Sequence, residues 1–104
     1  MEDDKIASVS LELIQKDFGL TNDFEFAGNQ YEEELIEYLI RVVQYLLDHD
    51  FEKLLNVMYR IDLPENRVKN VLTTSDPENL SRSLSELILD RERQKAKTRI
   101  QYSK

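Results

Sequence analysis

A single histidine, His49, stands among carboxylates: Asp48 and Asp50 flank it, and Glu52 follows three residues later. An imidazole grouped with carboxylates suits a divalent cation or general acid–base chemistry. Metal-binding helical bundles, however, draw Glu-x-x-His pairs from two helices, and the chain contains no such pair. With one histidine and no cysteine, it can build neither a multi-histidine site nor a thiolate site. Asp48 and Asp50 also fall where two helical stretches meet, a position at which aspartate caps a helix. The expectation is therefore an exposed turn histidine. An enzymatic or metal-binding centre at His49 and its neighbouring carboxylates is the alternative.

Other residue types with chemical potential are placed less suggestively. Glu33 and Glu37 share a helix face within the acidic run 32–37, a pattern that reads as a solvated face or a docking surface more readily than a cation site. Gly19 and Gly28 stand nine residues apart, which makes no phosphate cradle. Ser75, Ser81, Ser83 and Ser85 occupy capping or helix-surface positions far in sequence from His49, so no nucleophile–base pair is apparent. Tyr38 and Tyr45, seven residues apart, are expected to stack along one face of the core. No catalytic residue and no cofactor is assigned.

Charge is distributed unevenly. Residues 90–104 hold six Lys/Arg against two Asp/Glu, a net of +4, while the whole chain carries −7, so residues 1–89 carry −11. Such a map bears on association and solubility, not on fold. Arg91, Arg93, Lys95, Lys97 and Arg99 fall at every second position and spread around a helix instead of forming one stripe. A solvated terminal helix is the plainest reading. Pairing with an acidic partner surface, including Glu33 and Glu37 of a second copy, comes next. Nucleic acid is the weaker alternative, because the acidic remainder of the chain repels phosphate.

These residues are carried by an all-α chain of about five helices. Two Gly and two Pro in 104 residues leave little for β-turns, and no paired strands are apparent. The first helix spans about residues 4–18, with Ile6, Val9, Leu13, Ile14 and Phe18 on helical spacing and Gly19 placed to end it. Residues 20–29 form the one long loop, in which Phe24 and Phe26 either tuck into the core or line a binding loop. The second helix is the most apolar, and Asn29 with Glu32 makes a capping box at its start. Its apolar residues crowd most faces, which puts it at the centre of the bundle or in an oligomer interface. A third helix covers about 51–61 and a fourth about 64–72, capped by Asp62 or Leu63. A fifth is capped by Ser75 or Asp76 and entered at Pro77. After Leu89 its apolar stripe lapses, so residues 90–104 read as a basic helical extension of a bundle formed by 1–89, with no face to bury.

The segments Met58-Tyr59-Arg60-Ile61-Asp62 and Arg91-Glu92-Arg93-Gln94-Lys95 resemble those of short, uncharacterised all-helical bacterial proteins. That resemblance covers about the last half of the chain and implies no activity. The start Met1-Glu2-Asp3-Asp4 is acidic where a secretory signal is basic, and uncharged runs stop near six residues, far short of the ~20 that span a bilayer. A cytoplasmic, non-catalytic interaction or structural module is expected, with a protein partner. The apolar surplus of the second helix makes that partner a second copy, in a two-fold dimer with Val43 or Leu47 at the interface.

Overall fold

Two of the chain's helices stop because a residue turns into the left-handed region. The computed structural model describes residues 2–21 and 24–102, with residues 2 and 3 in backbone only. Among these, five helices run α1 Glu2–Phe18, α2 Tyr31–His49, α3 Phe51–Arg60, α4 Glu65–Thr74 and α5 Leu80–Tyr102, and there is no strand. After α1, Gly19 takes φ 66° and the Leu20 N–H donates to the Gln15 carbonyl at 2.8 Å. After α3 the same geometry recurs with Asp62 at φ 62° and the Leu63 N–H on the Met58 carbonyl at 3.2 Å. Each following leucine packs back on its helix, and Leu63 is buried.

The use of Asp62 in this turn changes how α4 starts. Pro64 itself occupies the cap position, and its carbonyl accepts from the N–H groups of Arg67 and Val68. Neither Asp62 nor Leu63 is the cap. The start of α2 also departs from expectation. Its cap residue is Gln30, with no side-chain capping bond, so Asn29 and Glu32 do not form a capping box. Glu34 reaches back instead, accepting from the N–H groups of Ala27 and Gly28. Residues 77–79 form a turn ahead of α5, which begins three residues later than Pro77 implied. Asp50 alone separates α2 from α3. Its N–H donates to the Leu46 carbonyl at 2.8 Å and its carboxylate accepts from the Lys53 N–H at 3.1 Å, so one residue ends one helix and caps the next.

The core joins Ile14 and Phe18 of α1, Leu35, Leu39, Val43 and Leu46 of α2, Leu54, Val57 and Met58 of α3, and Leu84, Leu87, Ile88 and Leu89 of α5. Burying each such side chain contributes about 1.5–3 kcal/mol. α2 shares the centre with α5, which packs along α1, α2 and α4. The last helix does not lose its buried face at Leu89. That face continues through Glu92 and Ala96, both fully buried, as one unbroken helix. The buried faces of both α1 and α5 carry small residues, Ala7 and Ser10 on the first and Ser85 and Ala96 on the second. Side chains of that size permit close helix approach, which hydropathy does not register. Val43, expected at a dimer interface, is fully buried within one copy. Among the described residues no helix is long and apolar enough to cross a membrane.

Candidate functional site

His49 ends α2 as an exposed residue, its ring 4.6 Å from that of Tyr45. The two aspartates around it are otherwise engaged, while the Glu52 side chain makes no hydrogen bond or ion pair among the described residues and lines a neighbouring cleft. Asp48 accepts from the Gln44 side-chain amide at 3.1 Å, and Asp50 caps α3. Among the described residues, no three His, Asp or Glu side chains gather in a way that could hold a metal ion. Tyr45 does not stack in the core as its spacing from Tyr38 implied. It is 62% exposed, while Tyr38 lies against Phe24. At position 45 the α2 helix has already turned away from its buried line of Leu39, Val43 and Leu46.

The basic segment is largely engaged within the chain. Arg91 Nε donates to the Ile61 carbonyl at 2.7 Å, where α3 ends and unpaired carbonyls accumulate. Arg93 lies 3.5 Å from Glu32, and Arg99 lies 3.5 Å from Glu12. The complementarity between basic tail and acidic α2, expected between two copies, is thus partly met within one. These exposed pairs contribute little to stability and mainly fix orientation. Of the expected interaction residues, Glu33, Glu37 and Lys97 are exposed, with no side-chain hydrogen bond or ion pair among the described residues.

Lys95 is the exception in depth. Its ammonium donates to Asp17 Oδ2 at 2.8 Å and lies 3.1 Å from Glu92 Oε1, bridging α1 to α5. Burial is the main cause lifting the Glu92 carboxyl from 4.5 to about 7; the adjacent Asp17 adds to it and Lys95 opposes it. For Lys95, burial acts to lower the ammonium, and its bonds to Asp17 and Glu92 outweigh that and hold it above the ordinary lysine value. Residue type alone does not mark Glu92 off from its charged neighbours in the stretch 90–95. Its position, four residues after Ile88 and four before Ala96, is the one clue that it faces inward.

Two open clefts lie side by side near the α1 C-terminus, and both include Phe18 and Lys53. The first, about 430 Å³, mixes charges: Asp17, Asp50 and Glu52 with Lys53 and Arg60. Two of its charged groups are hydrogen-bonded in place, since Arg60 donates to the Asp17 carbonyl and Asp50 caps α3. The second, about 500 Å³, is lined mainly by apolar groups: Phe18 and Leu20 at one end, Phe24 from the loop, and Tyr38, Val42, Tyr45 and Leu46 from α2. Its charged residues are Arg41 and Lys53. Phe24 stacks on Tyr38 with ring centres 4.3 Å apart, and Phe26 lies 4.7 Å from Tyr31. Both loop aromatics meet α2, and Phe26 also packs against the core. They pin the loop to α2, and Phe24 remains half-exposed as a cleft wall. Residues 22 and 23 of that loop, and residues 1, 103 and 104, lie outside the described residues. No protein-family model, no curated protein and no solved structure matches the chain, so any functional reading rests on these side chains.

Proposed function

We propose that this chain is a non-catalytic protein-interaction module whose contact surface is the apolar cleft between Leu20 and Phe24, α2 and the start of α3. The observation that supports it is the aromatic lining. Phe24 and Tyr38 stack on each other, and Tyr45 stands 62% exposed beside them. Solvent-facing aromatics at the rim of an apolar depression are residues that anchor protein interfaces. They offer large contact area at low entropic cost. The basic segment supports a nucleic-acid role less well, because Arg91, Arg93, Lys95 and Arg99 already have partners within the chain. Absence of cysteine suits a reducing cytoplasm, where we place the protein.

Affinity capture from the native cells tests this, with wild type compared against Tyr45→Ser. Tyr45 is exposed enough that the change leaves the fold intact, which circular dichroism verifies. A protein retained by wild type and lost from the variant is expected. Identical captures by the two would refute the cleft as the contact surface.

A further inference from the structure

Among the described residues, the charged side chains lining the apolar cleft are Arg41 and Lys53, both positive, in a chain whose net charge is −7. Arg41 and Lys53 are exposed, and among the described residues neither makes a side-chain hydrogen bond or an ion pair. They share this with Lys5, Lys16, Arg67, Lys69 and Lys97, while other cations of the chain are engaged. Arg60, Arg91 and Lys95 reach backbone or carboxylate oxygens, and Arg93 and Arg99 sit beside glutamates. Two uncommitted cations from different helices, set around Phe24, Val42 and Tyr45, define a ligand with apolar side chains bordered by negative charge. The long stems of arginine and lysine extend the apolar wall while their heads stay in water.

We propose that the cleft binds an acidic amphipathic helical segment of a partner protein. Its apolar stripe would lie between Phe24 and Tyr45, and its carboxylates would face Arg41 and Lys53. The partner class rests on the reading of the cleft as an interaction surface. A helix fits better than an extended strand, since the cleft is walled by side chains of α2, α3 and the loop and offers no sheet edge to extend. A volume of about 500 Å³ suits a few large side chains spaced one turn apart. Nucleic acid and anionic lipid share the negative charge, but the field of the remaining chain, including Asp17, Asp50 and Glu52 of the adjoining cleft, opposes an extended anionic surface more than a short segment held at Arg41 and Lys53.

The test uses three fluorescent peptides, with binding read by anisotropy and by amide chemical shifts of the full-length protein. One carries leucines at i, i+3, i+4 and i+7 on a glutamate-rich background. The second keeps the leucines and replaces glutamate by lysine. The third keeps the glutamates and scrambles the leucines. The acidic amphipathic peptide is expected to bind best, with shifts centred on Tyr38, Arg41, Val42, Tyr45 and Lys53. The double charge reversal R41E/K53E is expected to weaken it about tenfold and to favour the basic peptide, with both positions too exposed to disturb folding. If the acidic and basic peptides move the same cleft resonances equally, the charge assignment is overturned while the cleft stands as an interaction surface. If no peptide moves them, both readings fall. Cleft shifts on concentrating the protein alone would assign the surface to a second copy. Shifts produced by phosphatidylserine vesicles and by no peptide would assign it to lipid. Either result overturns the proposal.

Discussion

Replacing Glu92 by Gln is expected to change the pH dependence of stability more than stability itself. The carboxyl is fully buried between α1 and α5, and its pKa is raised from 4.5 to about 7, first by burial and then by Asp17. A neutral buried carboxyl is tolerated; an ionised one is not, so the folded state favours the proton. Stability from this group is present in full below pH ~4.5 and is lost as pH rises through about 7. A shift of about 2.5 units at ~1.4 kcal/mol each gives about 3 kcal/mol lost across that window. Glutamine is nearly isosteric and does not titrate. Wild type and Glu92→Gln should therefore be close in stability near pH 4.5, and the variant should gain about 3 kcal/mol over wild type by pH 8. Urea unfolding of both proteins across that range measures the difference, and subtracting the curves removes the other carboxylates common to the two. A flat difference would refute the reasoning. So would a variant that loses ground as pH rises, because the Lys95 pair would then outweigh the burial of the charge. A carbon-13 titration of the Glu92 carboxyl gives an independent check, with a midpoint near 7 expected and one near 4.5 contradicting it.

Lys95→Met should raise the Glu92 midpoint above 7, since Lys95 is the group that lowers it, and the same carbon-13 titration reads the change. Asp62→Gly should stabilise the protein by about 1 kcal/mol by relieving a left-handed residue at φ 62°; thermal unfolding that shows no gain would mean the aspartate side chain compensates locally. Leu39→Ala should cost about 2–5 kcal/mol in urea unfolding, because Leu39 is fully buried in α2; a loss below 1 kcal/mol would remove it from the core.

Most of the fold was legible because local grammar and tertiary packing agree. Gly19 ends α1 where a glycine after an apolar turn should, and the α3 stripe of Leu54 and Met58 points inward as its spacing requires. Where one residue can serve two neighbouring functions, sequence could not choose. Asp62 was available either to end α3 or to cap α4, and only the fold shows that it ends α3. Glu32 and Glu34 could each reach back from the first turn of α2. The path of the loop brings Glu34 to Ala27 and Gly28 and leaves Glu32 beside Arg93.

The site was less legible, for a different reason. A hydropathy pattern counts apolar residues, and the α5 face that meets α1 and α2 is built of Ser81, Ser85, Glu92 and Ala96 together with its leucines and isoleucine. Small and neutralised groups bury well without looking apolar, so the stretch after Leu89 passed for a solvated tail. The same stretch contributes Lys95 to a buried network with Asp17, a residue of α1 far from it in sequence. The cleft was hidden in the opposite way, since the apolar surplus of α2 was visible but not which part stays uncovered. Leu35, Leu39, Val43 and Leu46 are consumed by the core, while Tyr38, Val42 and Tyr45 turn towards the loop. Surplus apolar surface on one helix therefore predicts that an uncovered apolar patch exists. Its location follows only once the neighbouring helices have claimed their share.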